Sequence, residues 1–170
     1  MILTRKKESI EVVGAYPASV IAYDFVRMGI AEQNQVTQMK LHKLIFFAHG
    51  LYLASLDAPL INEYFEAWKF GPVVPSVYHE YKLYGSGPIS NFDFTPYGYL
   101  DIPDLNQIDE QSKSVIDIAW KTLNKFDGIQ LSNWTHNPDS AWSKHYKPDI
   151  QSVLIPNEDI KAYFKRFIKE

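Results

Sequence analysis

Five histidines and a scatter of carboxylates are the residues of this 170-residue chain whose chemistry could go beyond packing. His42 and His49 stand two turns apart on one helical face, whereas ligands one turn apart are better placed to hold a single ion. His79-Glu80 is followed by Tyr-Lys-Leu, so the His-Glu-x-x-His pattern of zinc hydrolases is absent. His136 and His145 could come together only across distant segments. Read plainly, these are hydrogen-bonded structural histidines, and no metal site is expected. Ser76 and His79 lie three apart on a helix start, within reach of each other, but the sequence singles out no orienting acid or oxyanion donor to complete a triad. Glu63 and Glu66 read as a solvated strand face. Gly85-Ser86-Gly87 lacks the lysine and hydroxyl of a phosphate-binding loop. No catalytic residue and no cofactor are expected.

Composition narrows the classes further. Seventeen basic residues against twenty acidic ones give a net charge of −3, so a dedicated nucleic-acid binder is not expected. Lys161, Lys165, Arg166 and Lys169 form a basic end on the last helix, which suits the negative end of a helix dipole. Cysteine is absent, which removes disulfides and thiolate chemistry. No signal peptide or run of about 18 apolar residues is visible, so a soluble, cytoplasmic protein is expected and no membrane partner.

The elements that must position these residues read as mainly α (α+β): a single compact domain of about six helices around a central helix, with a small β element. Residues 1–16 read as an arm or an edge strand, and 17–170 as one helical domain. A first helix is expected from Pro17–Ser19 to Gly29. The central helix spans about 37–56, with Thr37 as cap; Leu41, Leu44, Ile45 and Ala48 form one apolar stripe and His42, Phe46, His49 and Leu53 another. Only Lys43 and Gly50 mark a polar edge. A short strand is expected over 63–70, a turn at Gly71-Pro72, and a helix from Pro75 to Tyr84 closed by Gly85. Further helices are expected over 109–126, 131–136, 140–146 and 157–168, the last capped by Asn157, with a hairpin near 92–100 and a strand at 153–155.

Two blocks stand out. The first, Lys40-Leu41-His42-Lys43-Leu44-Ile45-Phe46-Phe47-Ala48-His49-Gly50, leads through the strand to the second, Glu66-Ala67-Trp68-Lys69-Phe70-Gly71-Pro72-Val73-Val74-Pro75-Ser76-Val77-Tyr78. In order and spacing this pair resembles the Panacea domain family, which groups SocA-like antitoxins with phage-associated GepA-like proteins. A later feature of that family, a His followed by Pro-Trp, is matched by His136 and Trp142, with Ala141 where the proline would stand. The resemblance covers about residues 18–146. It implies a helical domain that neutralises a cognate toxin protein by direct binding, with the toxin encoded by the adjacent gene and with neither cofactor nor reaction. Two alternatives stay open: a proteolytic adaptor that delivers a client to an ATP-dependent protease, and a phage protein that binds a host factor. Trp68, Phe70, Tyr78, His79, Tyr81 and Tyr84 are the candidate partner-binding residues. Trp68 leans toward the core, whereas His79, Tyr81 and Tyr84 are expected to tolerate solvent. Lys40, Leu41, Leu44, Phe47, Gly50, Gly71, Pro72, Pro75, His136 and Trp142 are read as the structural motif.

Overall fold

The computed structural model describes residues 15–90 and 102–169. The expected N-terminal arm, up to residue 14, and the hairpin near 92–100 lie outside the described residues. Seven α-helices are described: α1 (Ala18–Ala31), α2 (Gln38–Leu56), α3 (Pro75–Tyr81), α4 (Glu110–Leu123), α5 (Gly128–Thr135), α6 (Ala141–His145) and α7 (Asn157–Lys165). Three short strands, β1 (Phe65–Trp68), β2 (Gly71–Val73) and β3 (Leu154–Ile155), form an antiparallel sheet in the order β2-β1-β3. The fold is compact, mainly helical and α+β. None of the described helices is long and apolar enough to cross a membrane.

The central helix is where the periodicity places it. Thr37 caps it by accepting from the Lys40 N–H at 3.3 Å. Asp57, in the left-handed region at φ 57°, ends it before Pro59 is reached. Leu41, Leu44, Ile45 and Ala48 are fully buried, as are Phe46 and His49 on the second stripe. The polar edge expected at Lys43 and Gly50 does not exist. Lys43 is 1% exposed and Gly50 is buried, because α2 packs against α1, α4, α5, α7 and β2. Gly50 has no room for a side chain: a Cβ there would overlap the Phe164 ring of α7. Around this contact Phe46 meets Phe65 at 5.2 Å and Phe164 at 5.4 Å, both edge to face, which is the favoured aromatic geometry.

Several boundaries differ from expectation for identifiable reasons. Helix α1 runs two residues past Gly29. Gly71-Pro72 does not form the turn; Trp68 pairs with Gly71, so Lys69 and Phe70 are the two turn residues and Gly71 opens β2. Helix α3 gives way after Tyr81 to a 3-10 turn, Lys82–Tyr84, closed by Gly85 at φ 58°. Helix α4 stops at Leu123. Helix α5 begins at Gly128 rather than at 131, because Asp127 and Gln130 form a capping box that turns an apparent helix stop into a start. Asn157 is the first residue of α7, not its cap; its side chain is committed to His49 instead.

That commitment belongs to a larger device. His49 Nδ1 accepts the Ile61 N–H at 3.3 Å, which puts the ring proton on Nε2, and Nε2–H donates to Asn157 Oδ1 at 2.9 Å. Two turns earlier, His42 Nδ1 accepts the Val74 N–H at 3.3 Å. The two imidazoles therefore pin both ends of the 61–74 segment, strands included, to the central helix. Burial holds both rings neutral. It pushes His42 down to about 3, helped by the neighbouring Lys43 charge, and His49 down to about 4 against the opposing hydrogen bond to Asn157.

Two predictions follow from α2. In the unfolded chain the two histidines bind protons below about pH 6.5, while in the fold they stay neutral until near pH 4 and 3. Their contribution to stability is complete above pH 6.5 and is lost as the pH falls toward those values. Urea melts from pH 7 to pH 4.5 should show a smaller acid loss, by about one proton, in His49→Gln than in the wild type; identical slopes would place the titration elsewhere. Lys43 belongs to no ion pair of the described residues, and burial lowers its amine to about 7. Ordering an amine as neutral while the unfolded chain charges it is unfavourable as the pH drops from 10.5 to about 7. Lys43→Met should therefore stabilise the fold at pH 7 by roughly 1–4 kcal/mol, with the gain shrinking toward pH 10 in thermal melts.

Candidate partner-binding surface

The second sequence block folds into the β1–β2 hairpin and helix α3, and its backbone is clasped from outside. The Trp142 indole N–H donates to the Trp68 carbonyl at 2.7 Å, and the Ser132 hydroxyl donates to the Phe70 carbonyl at 2.7 Å. Trp142 is itself held between the His136 ring, stacked at 3.9 Å, and the Tyr146 ring at 4.5 Å. Gly71 sits at φ 117° directly over Lys43 and Thr135, where a Cβ would lie 2.6 Å from Lys43 Cε and 2.8 Å from Thr135 Oγ1. Both the backbone angle and the space require glycine. Pro72 follows as a buried strand residue, and Pro75 occupies the first turn of α3, where its missing N–H is harmless.

Alternation along β1 sends Phe65 and Ala67 into the core and Glu66 and Trp68 outward. Residues paired across an antiparallel ladder share a face, so Leu154 of β3 stands beside Glu66 on this outer surface, 52% exposed. The Trp68 indole N–H donates to Glu66 at 2.6 Å, and its ring meets Tyr78 at 4.9 Å. Tyr78 in turn contacts the His79 ring at 5.5 Å. Leu154, Glu66, Trp68, Tyr78 and the exposed His79 thus form one surface, with an apolar end, a carboxylate and three aromatic rings. Trp68 is half-buried, not a core residue.

The other candidates fall elsewhere. Phe70 is 56% exposed at the hairpin tip, on the side of α5. Tyr84 is half-buried against Tyr81 at 6.3 Å. Tyr81 is the clear correction: it is 0% exposed. It lies one turn after Val77 on α3, and i, i+4 residues share a face, so it follows Val77 into the core. Glu66 lies on the outer strand face, as expected, and Leu154 joins it there. The F-E-A-W alternation held the signal for Glu66, but nothing local announces that 154 pairs with 66.

In the first block, Lys40 Nζ donates to the Asn124 carbonyl at 2.6 Å and lies 5.8 Å from the Trp120 ring, tying α2 to the end of α4. Leu41 and Leu44 are fully buried, and Phe47 packs on Trp134 and Phe164. Glu63 is no solvated strand residue: its carboxylate accepts the Ala18 N–H at 2.6 Å, supplying the cap that Pro17 cannot, and also accepts from the Ser76 hydroxyl. Ser76 is thereby turned away from any role with His79. His145 pairs with Asp159 at 2.6 Å while His136 stacks on Trp142. Among the described residues, no three histidine, aspartate or glutamate side chains are grouped to hold a metal.

Comparison with known proteins addresses the same elements. A family model described as antitoxin SocA-like, Panacea domain, matches residues 41–143, which take in most of α2, the hairpin, and α3 through most of α6. Antitoxin SocA of Caulobacter vibrioides (strain NA1000 / CB15N) is 46% identical over 56 residues, which is 33% of this chain and 30% of that protein. The matched stretch thus spans under a third of that relative's length. No solved structure matches. With a family match over more than half its length, running through the clasped hairpin and the helix that carries it, the chain belongs to the SocA-like antitoxin family of Panacea-domain proteins.

Proposed function

We propose that this chain is an antitoxin that neutralises a cognate toxin protein by binding it directly, with the outer sheet surface and α3 as the contact. The observation that carries the reading is the surface of Leu154, Trp68, Tyr78 and His79, carried by β3, the hairpin and α3, with the hairpin's backbone bonded to α5 and α6 and, just past β2, to α2. Aromatic side chains on a preordered backbone bury large area with little loss of conformational freedom. Family membership supports the antitoxin role and a non-catalytic one. The toxin would be the product of the adjacent gene, in the cytoplasm, and the antitoxin would act by covering the surface the toxin works with.

Co-expression with the neighbouring gene product tests this. A stable complex and rescued growth are expected; neither appearing would reject the reading. Toxin lifetime separates occlusion from delivery to an ATP-dependent protease, since an occluded toxin persists in the complex and a delivered one is degraded. Leu154→Asp and His79→Ala should keep the melting temperature within a few degrees. Together they should weaken toxin binding at least tenfold, or about 1.4 kcal/mol, by calorimetry. Unchanged affinity would move the interface off this face. Tyr81→Ala should instead destabilise the fold by roughly 3–5 kcal/mol, as for other large core truncations. A thermal melt like the wild type's would show that Tyr81 is not packed.

A further inference from the structure

Helix α5 runs as a ridge between two exposed phenylalanines. At about 100° per residue, Ser132 and Trp134 point to opposite flanks. Ser132 bonds the Phe70 carbonyl on one side, and the Trp134 ring meets Phe167 at 6.5 Å on the other. Between them the outer ridge carries Ile129, with Gln130 and Asn133 exposed beside it. Phe70, Ile129 and Phe167 are 56%, 67% and 54% exposed, three large apolar side chains left in water about one helix. A cation stands at each end of this strip. Lys69 Nζ lies 5.4 Å from the Phe70 ring and the Arg166 guanidinium 5.8 Å from the Tyr163 ring. Neither belongs to an ion pair of the described residues. The nearby Asp127 carboxylate caps α5 and keeps its charge, so one acid stands against the two cations. In a chain of net charge −3 this strip is locally cationic and apolar.

We propose that the α5 ridge is a second docking face, which takes an acidic protein segment bearing an apolar side chain. Its carboxylates would meet Lys69 and Arg166, and its apolar group would sit against Ile129 between the two phenylalanines. This face is distinct from the outer sheet surface, where Trp68 turns toward Tyr78, so it does not rest on how the toxin is bound.

Fluorescence anisotropy on the full chain tests it, with a labelled peptide of glutamates flanking a Leu-Phe pair and a counterpart in which lysines replace the glutamates. The glutamate peptide should bind, with affinity falling about tenfold between about 50 and 300 mM salt, and the lysine peptide should not. Ile129→Glu and Arg166→Glu should each weaken binding about tenfold, while Leu154→Asp leaves it unchanged. Melting curves check that the variants fold, and Asn133→Glu on the same ridge repeats the charge test if either does not. Failure of the glutamate peptide to bind, equal binding of the lysine peptide, or indifference to all three ridge variants would overturn the proposal. So would self-association in sedimentation velocity that Ile129→Glu abolishes, because the face would then belong to a second copy of the chain. Toxin neutralisation by Ile129→Glu should match the wild type, which keeps failure here separate from failure of the antitoxin reading.

Discussion

A helix enclosed on every side leaves no neutral ground for its polar side chains, and α2 is such a helix. Most buried polar groups along it are bonded by something from another part of the chain, because a buried unpaired donor or acceptor is unfavourable by about 1–3 kcal/mol. Lys40 takes the last turn of α4 through the Asn124 carbonyl. His42 takes Val74, and His49 takes both Ile61 and Asn157. These bonds reach backbone and side-chain groups far away in sequence, so the helix does more than fill the core: it specifies where the hairpin segment begins and ends, and where α7 starts. Among the described residues Gln38 Oε1 and the far ring nitrogen of His42 stay without a hydrogen-bond partner, and Lys43, in no ion pair there, has its amine driven toward neutrality by burial.

What the sequence made legible follows from how local the physics is. Helix α2, its Thr37 cap and the mainly helical α+β class all rest on periodicity and short-range hydrogen bonding, and all appear. The burial of Tyr81 is equally local, four residues from Val77 on one helical face, although a tyrosine tip by itself tolerates water. The remainder was not readable from neighbours. Glu63 looks like an exposed acid until the N-terminus of α1, forty-five residues earlier, comes to lie against it. Gly50 looks like a polar edge until the Phe164 ring lands on it. Asn157 looks like a cap, and would be one if His49 did not compete for its oxygen. The outer surface needed β3, a two-residue strand whose pairing has no local signature.

The same enclosure explains how so small a sheet can serve as a platform. Two-stranded hairpins are marginal by themselves, and here β1 has four residues and β2 three. Support comes from outside the ladder. Trp142 bonds the carbonyl just before the turn and Ser132 one within it, and His42 bonds the amide just past β2. Side chains on such a frame lose little freedom when a partner arrives, and that loss is a main opposing term in association. The rigidity is therefore a property of α2, α5 and α6 as much as of the strands, and changes remote from the outer surface will be felt there.

The corner at α6 shows how far this support depends on geometry rather than on a particular residue. Where the family motif places proline, this chain has Ala141, the first residue of α6. Proline at that position presets the helical φ and removes a donor that has no helical partner; alanine does neither. Ser140 supplies the order another way. Its hydroxyl donates to the Thr135 carbonyl at 2.7 Å and accepts the Ser143 N–H at 3.0 Å, so one side chain closes α5 and opens α6. Asp139, at φ 64°, makes the bend between them, and Ala141 is buried against the core. With the corner fixed, Trp142 still stacks between His136 and Tyr146, and its indole still reaches the Trp68 carbonyl. In this chain the direction of that one N–H is set by a capped corner, without a proline.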